Sequence, residues 1–241
     1  MVNVTILQFE NRPTLDYFLL SKDVNIKMAT HLNFNYKFLL IDEKYTNIYH
    51  PATSKIFTLY DYLQESNDDM IIFLDSDAWI HNPSIINNII NYLVDSPEKY
   101  GCFSRDPYYK ECTFINSGSF ILKVNDYTKN MLLTLKNYVT EKLHNFDYNI
   151  WPYDQYYYSF YILVNKSDFI IFKPEVLNTP NGIGLRHNWT KKQQMYDDLN
   201  LLLNSCHTEL DTIYNINDYI DTNVYPNTEN APNNFPLCLS L

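Results

Sequence analysis

The chain has 241 residues, of which 46% are hydrophobic and 19% are charged, and this length suffices for one large domain or two closely packed lobes. Its 18 Lys and Arg residues against 28 Asp and Glu residues give a formal net charge of −10, which argues against a protein that binds the phosphate backbone of nucleic acids. An anionic small ligand would need a local group of basic side chains or a bound metal ion.

Strand and helix patterns alternate through the first part of the chain. A β-branched segment predicts a strand over 2–9, and apolar residues at helical spacing predict a helix over 14–32. The same criteria predict a strand over 36–41, a helix over 52–65 and a strand over 70–74. This alternation indicates a mostly parallel sheet with helices on both faces, which is a three-layer α/β architecture.

Further elements are predicted in the middle of the chain. The segment SIINNIINYLV, which begins at Ser84, predicts a helix with Ser84 as its N-cap. Residues 112–124 predict two strands separated by a break, and residues 126–143 predict a helix.

The last third of the chain mixes aromatic and polar segments. Residues 154–164 are so aromatic that helix and strand compete, and we favour a helix. Residues 168–173 predict a strand, which a glycine-containing loop, NGIGLRHNW, follows. A polar tail spans 207–241, with a short helix predicted over 209–220, and we expect this tail to pack on the surface or to be partly disordered.

Cysteine spacing and the N-terminus bear on the cellular compartment. The four cysteines, Cys102, Cys112, Cys206 and Cys238, form no CxxC pair, which favours free thiols in a reducing compartment. The N-terminal residues show no pattern of a signal peptide, and no stretch reaches the roughly 18 uninterrupted apolar residues of a membrane helix. We therefore expect a cytoplasmic protein without a membrane span.

Two carboxylates follow the third predicted strand, in the segment IIFLDSDAWIHNP. Asp75 and Asp77 point to the same side of an extended chain, because side chains alternate between its two faces. They also lie at the carboxyl end of a strand, where open α/β sheets bind ligands. Oxygen ligands suit Mn²⁺ or Mg²⁺, which hold phosphate oxygens. The pair therefore predicts a divalent-cation site that recruits a diphosphate.

Two other interpretations of this segment stay open. The acidic residues can form a solvated turn after a buried strand. They can also belong to an aspartyl-phosphate phosphatase, although Trp79 stands where such sites need Thr or Val. No GxGxxG, GxxxxGK[ST] or GxSxG motif is present, which argues against dinucleotide oxidoreductases, P-loop NTPases and nucleophile-elbow hydrolases.

Other candidate site residues lie further along the chain. Asp154 and Gln155 stand at a predicted helix start, where the carboxylate acts as a cap or binds sugar hydroxyls. His187 is a candidate third metal ligand. The basic residues near His187 are candidate phosphate contacts, namely Arg186, Lys191 and Lys192. Glycine occurs only four times, so each glycine should mark backbone that a Cβ atom would obstruct.

Taken in order, these segments resemble the nucleotide-sugar glycosyltransferases of the GT-A fold, and most of all glycosyltransferase family 34, the retaining α-galactosyl- and α-xylosyltransferases. The motifs that carry the resemblance are SKIFTLYDYL, IIFLDSDAWIHNP, INSGSFIL, YDQ and a late His, and they span about 50–190. The resemblance implies a Rossmann-like, mostly parallel central sheet with a small additional sheet. It also implies a donor-binding half at about 1–100 and an acceptor-binding half at about 101–206.

Specific roles also follow from the resemblance. It implies that Asp75 and Asp77 hold Mn²⁺ (or Mg²⁺), that Asp75 approaches the ribose, and that His187 completes the coordination. Asp154 would bind sugar hydroxyls, and Gln155 would sit beside the anomeric carbon. Donor or sugar contacts are implied for Gln8, Arg12, Lys55, Asn116, Ser117 and Gly118.

The implied reaction is transfer of a sugar from a UDP-sugar to a glycan or glycoprotein acceptor, with retention of configuration. A non-catalytic carbohydrate-binding protein with the same fold is the remaining alternative. Two features depart from the family pattern: we expect no Golgi anchor, and Trp189 and Thr190 stand where the family has a glycine after the late His. The Asn-, Ile- and Tyr-rich composition suits an AT-rich bacterial or viral genome.

Overall fold

A computed structural model describes residues 2–107, 114–190, 192–205 and 215–222. Within these residues the chain forms eight strands: β1 (Val4–Glu10), β2 (Asn35–Leu40), β3 (Met70–Asp75), β4 (Ala78–Ile80), β5 (Gly101–Arg105), β6 (Ile115–Lys123), β7 (Phe169–Phe172) and β8 (Leu185–His187). The helices are α1 (Asp16–Leu32), α2 (Glu43–Thr46), α3 (Pro51–Glu65), α4 (Pro83–Asp95), α5 (Asp126–Thr140), α6 (Asp154–Val164), α7 (Pro174–Leu177) and α8 (Lys192–Asn204).

Six strands form a central sheet in the order β2-β1-β3-β6-β5-β7. The pairs β1–β2, β1–β3 and β5–β7 are parallel, whereas β6 runs antiparallel to both of its neighbours. All seven residues of β1 are buried, as expected for a strand in a sheet that is covered on both faces. The strands β4 and β8 form a separate antiparallel pair.

Two hydrophobic clusters lie on opposite faces of the sheet. One cluster contains apolar residues of α1, α4 and α8 together with Trp79 of β4. The other contains apolar residues of α3, α5 and α6, including the aromatic residues that make α6 ambiguous from sequence. The predicted α/β class, the three layers and the small additional sheet are therefore confirmed.

The start of α4 differs from the prediction. Asn82, not Ser84, is the N-cap: its Oδ1 accepts hydrogen bonds from the backbone N–H groups of Ser84 and Ile85, at 3.0 and 3.4 Å. Pro83 is the reason, because proline favours the first helical position and leaves the cap to the residue before it. The prediction of Ser84 as the cap was wrong by two positions.

Several other boundaries differ from the prediction. The expected break within 112–124 is absent from the described residues 114–124, because β6 continues without interruption through Gly118. The short strands β4 and β8 lie where a turn and a loop were expected, and β5 and α8 were not predicted. In the segment 209–220 only 215–220 is described, and Ile216–Tyr219 forms a 3₁₀ turn there.

Some predictions concern residues outside the described ranges. Cys112, Cys206 and Cys238 lie there, whereas Cys102 is a buried free thiol. Most of the predicted tail also lies there, and its described part approaches β7, where the N–H of Lys173 donates to the carbonyl of Tyr219 at 3.0 Å. Among the described helices, none has both the length and the apolar character needed to cross a membrane.

Candidate functional site

Three potential metal ligands converge at the carboxyl end of β3. Asp75 ends β3, Asp77 follows two residues later, and His187 ends β8. Pairing of Ala78 with His187 between β4 and β8 brings the imidazole beside the carboxylates. The Nε2 atom of His187 lies 3.2 Å from Asp77 Oδ1 and 3.9 Å from Asp75 Oδ2. One ligand atom from each of the three side chains fits within 4.8 Å of the others.

Gly118 makes room for the histidine. A Cβ atom at position 118 would lie 1.9 Å from His187 Cε1, which is far inside van der Waals contact. The prediction that a glycine marks backbone where a Cβ atom would be obstructed is therefore confirmed for Gly118. The residue lies inside β6, however, and not in a break between two strands. The backbone of β6 thus supports the imidazole directly.

A buried lysine joins two of the carboxylates. Lys55, on α3, places its Nζ 2.6 Å from Asp75 Oδ1 and 3.5 Å from Asp154 Oδ2, and its side chain is only 8% exposed. Burial alone would lower the pKa of Lys55. The negative charges of Asp154 and Asp75 outweigh this effect and raise the pKa, so the ammonium group stays charged. Burial raises the pKa of Asp154 to about 6, against the opposing effect of Lys55.

The two acidic residues after β3 differ in their electrostatics. Burial raises the pKa of Asp75, although Lys55 acts in the opposite direction. Burial would also raise the pKa of Asp77, but the adjacent His187 outweighs it and the pKa is lowered. Burial alone would lower the pKa of His187. The neighbouring carboxylates of Asp77 and Asp75 outweigh this effect, and the pKa of His187 is raised. Proximity to these carboxylates therefore raises the proton affinity of the imidazole, which is the effect expected of negative charges that would also attract a cation.

The charge and chemistry of this cluster fit a divalent cation. Two carboxylate oxygens and one imidazole nitrogen are a donor set that Mn²⁺ accepts readily. With His187 neutral, the ionised forms of Asp75, Asp77 and Asp154 carry three negative charges and Lys55 carries one positive charge, which leaves a net charge of −2. A divalent cation would neutralise this remainder.

A fourth acidic residue, which the sequence did not reveal, organises the predicted sugar pocket. Asp106 follows β5, and its Oδ2 accepts hydrogen bonds from Asn116 Nδ2 at 3.1 Å and from Gln155 Nε2 at 2.9 Å. Asn116 Oδ1 in turn accepts from the N–H of Gly118 at 2.9 Å. The available sequence signal was an acidic residue directly after a strand, and it was hidden because β5 was not predicted.

The remaining predicted residues of the pocket lie close by. Ser117 acts to lower the pKa of Asp154, and both residues are buried. Asp154 and Gln155 begin α6, so their placement at a helix start is confirmed. The structure thus brings Asn116, Ser117 and Gly118 of β6 together with these two residues of α6.

Gln8 and Arg12 occupy different environments, although they lie four positions apart. Gln8 is completely buried, and its amide is engaged inside the protein. Arg12 is 62% exposed, and its Nε lies 3.2 Å from Glu10 Oε1. Arg12 and Tyr17, another residue that sequence reasoning missed, both interact electrostatically with Asp77. These two side chains therefore lie at the rim of the carboxylate cluster.

The predicted basic residues near His187 do not gather at the cluster. Arg186 precedes His187 on β8 and therefore points to the opposite face, where its Nη1 pairs with Asp198 Oδ2 of α8 at 2.6 Å. Lys192 is the exposed first residue of α8, and Lys191 lies outside the described residues. Phosphate contacts by these three residues stay a prediction.

No protein-family model matches the chain, and no curated protein matches it. Solved structures do match. A glycosyltransferase involved in the glycosylation of the major capsid of PBCV-1 gives a TM-score of 0.65 at 15% identity, covering 82% of this chain and 99% of that chain. The galactosyltransferase LgtC, in complex with donor and acceptor sugar analogs, gives 0.51 at 9% identity, covering 83% and 95%. At these identities the likeness concerns the fold, and the chain therefore has the GT-A glycosyltransferase fold.

Proposed function

We propose that the protein is a metal-dependent glycosyltransferase that moves a hexose or pentose from a UDP-sugar to a glycan or glycoprotein acceptor, with retention of configuration. The convergence of Asp75, Asp77 and His187 at the carboxyl end of β3, in a chain with the GT-A fold, carries the proposal. Residues at about 1–100 bind the donor, and residues at about 101–206 bind the acceptor.

The metal ligands have separate tasks in this reaction. Mn²⁺ or Mg²⁺ held by Asp75, Asp77 and His187 would neutralise the charge that develops on the departing diphosphate. Lys55 binds Asp75 Oδ1 and so leaves Oδ2 turned toward His187. Arg12 would contact the nucleotide, which is supported by its exposure and by its electrostatic interaction with Asp77.

Residues of β6 and α6 act on the sugar. Asp154 is buried beside Lys55, and its carboxylate stabilises the positive charge of an oxocarbenium-like transition state. Asp106 accepts a hydrogen bond from the amide nitrogen of Gln155, and this bond orients the side chain so that its amide oxygen would face the anomeric carbon of the donor sugar. The departing phosphate takes the proton of the acceptor hydroxyl. Asn116 and Ser117 line the same pocket.

The experiment is a donor screen in which the protein is incubated with UDP-glucose, UDP-galactose and UDP-xylose, with and without Mn²⁺, and UDP release is measured. We expect metal-dependent release from one of these donors, and its loss in Asp77→Asn. Release from none of them, or equal release by Asp77→Asn, contradicts the proposal.

The same experiment separates the alternatives that the sequence left open. Hydrolysis of p-nitrophenyl phosphate without UDP release would favour the phosphatase. Saturable sugar binding without turnover would favour the non-catalytic carbohydrate-binding protein. The anomeric configuration of the product, measured by NMR, tests retention separately.

A further inference from the structure

Three buried polar side chains lie behind the loop that carries Asp75 and Asp77. Gln8 belongs to β1, and Ser21 and Asn25 belong to α1, where a spacing of four residues places them on the same face of the helix. All three residues are completely buried. Buried polar groups are costly unless they form hydrogen bonds, so their partners indicate what they do.

Two of these side chains hold the backbone of the loop. Ser21 Oγ donates to the carbonyl of Ser76 at 2.6 Å. Gln8 Nε2 donates to Ser21 Oγ at 3.0 Å and to the carbonyl of Asp75 at 3.3 Å. The peptide groups on either side of Ser76 are therefore fixed from within the core. The side chains of Asp75 and Asp77 start from this fixed backbone.

Asn25 holds β4 in the way that a neighbouring strand would. Its Nδ2 donates to the carbonyl of Ala78 at 3.1 Å, and its Oδ1 accepts from the N–H of Ile80 at 3.0 Å. In a parallel sheet one residue makes this pair of contacts: its N–H donates to the carbonyl of one residue of the neighbouring strand, and its carbonyl accepts from the N–H of the residue two positions later. The side-chain amide thus replaces a strand at one edge of β4.

The other edge of β4 carries the third ligand. Ala78 pairs with His187 across β4 and β8, and the N–H of Asn188 donates to the carbonyl of Asp77 at 3.0 Å. Asn25 holds Ala78 and Ile80 of β4, and β4 pairs with β8, so Asn25 influences the position of His187 indirectly. The three buried side chains therefore contact the backbone at Asp75, Ser76, Ala78 and Ile80 directly, and they act on His187 only through the pairing of β4 with β8.

We infer that Gln8, Ser21 and Asn25 are positioning residues that set the spacing of Asp75, Asp77 and His187 and so determine the affinity for the divalent cation. The inference rests on the proposed metal site. It also gives Gln8 a role that differs from the donor contact implied by the family resemblance, because a completely buried amide has no surface left for a nucleotide. Residues that orient metal ligands typically change metal affinity by about 10- to 100-fold when they are replaced.

The test is a titration of the full chain with Mn²⁺ alone, in which the electron paramagnetic resonance signal reports the free ion. The variants are Ser21→Ala, which removes a single hydroxyl, and Asn25→Leu, which removes both contacts to β4. Thr128→Val is the matched control, because its buried hydroxyl donates to the carbonyl of Lys123 at 2.7 Å near the opposite end of β3. Circular dichroism and thermal melting verify that each variant is folded at the titration temperature.

We expect saturable binding by the wild type, a loss of about tenfold or more in affinity for Ser21→Ala and Asn25→Leu, and no change for Thr128→Val. If Asn25→Leu does not fold, the Mn²⁺ affinity of Ser21→Ala alone decides whether the inference holds. Wild-type affinity in Ser21→Ala, or an equal loss in Thr128→Val, overturns the inference and leaves the proposed function standing. Absence of saturable binding in the wild type contradicts the metal site itself, and the inference falls with it.

Discussion

The imidazole of His187 occupies the space into which a Cβ atom at position 118 would project, with Cε1 only 1.9 Å from that point. One residue belongs to the central sheet and the other to the small sheet. The contact therefore links the position of a proposed metal ligand to the absence of a side chain on β6.

Gly118→Ala should displace His187 and destabilise the fold by about 1–3 kcal/mol, the usual cost of overpacking. In a His187→Ala background the same substitution should cost much less, because the obstructing ring is gone. A double-mutant cycle of urea unfolding measures this coupling. Equal costs in the two backgrounds would show that the ring does not occupy this space.

Lys55→Met should be strongly destabilising, because it leaves Asp75 and Asp154 without their buried cation. We expect a loss of about 3–5 kcal/mol near pH 8, the usual cost of breaking a buried ion pair. The loss should shrink on acidification, because burial already raises the pKa of Asp154 to about 6 and protonation removes its charge. Lys55→Met/Asp154→Asn should recover part of the stability at pH 8. A loss that is independent of pH would contradict this account.

Asp106→Ala should impair catalysis more than folding, because Asp106 orients the amides of Asn116 and Gln155. A loss of orientation that weakens transition-state stabilisation by about 1–3 kcal/mol corresponds to a fall of roughly 5- to 150-fold in kcat/KM. Initial rates of UDP release with the donor found in the screen measure the change. Unaltered kcat/KM in a folded variant would remove Asp106 from the organisation of the pocket.

His81 should make the protein less stable in mild acid. Burial, together with the positive charge of Arg186, lowers its pKa to about 4. The unfolded chain therefore binds a proton that the folded protein does not bind between about pH 4 and pH 6.5, so stability falls as the pH decreases through this window. At pH 5 the contribution is about 1–2 kcal/mol.

His81→Gln removes this titrating group. The difference in free energy of unfolding between pH 7.5 and pH 5, measured in urea, should be smaller in His81→Gln by that amount. Other groups that titrate in this range are present in both proteins, so the comparison isolates His81. The same pH dependence in both proteins would contradict the prediction.

Residues on long, strongly patterned elements were predictable from the sequence. Asp75 ends a strand whose apolar character leaves little ambiguity, and Asp77 follows it closely in the chain, so their proximity was predictable although residues 76–77 form a turn and not an extended chain. Asp154 and Gln155 begin a helix of eleven residues, and this position was also predicted. In these cases local sequence decides the geometry.

Residues whose positions depend on tertiary pairing were harder to predict. The strand β8 has only three residues, too few for periodicity to reveal, so the sequence grouped Arg186 with His187 although they lie on opposite faces. Ser21 and Asn25 look like ordinary polar residues of an amphipathic helix, and their burial follows only from where the loop after β3 passes. Sequence periodicity carries no information on such contacts.

Anomalous diffraction from crystals grown with Mn²⁺ and UDP tests the central claim most directly. The account predicts a manganese peak at bonding distance from Asp75, Asp77 and His187, with the diphosphate of UDP completing the coordination. A structure with UDP bound and no peak between these three side chains, or with manganese held elsewhere, would contradict it.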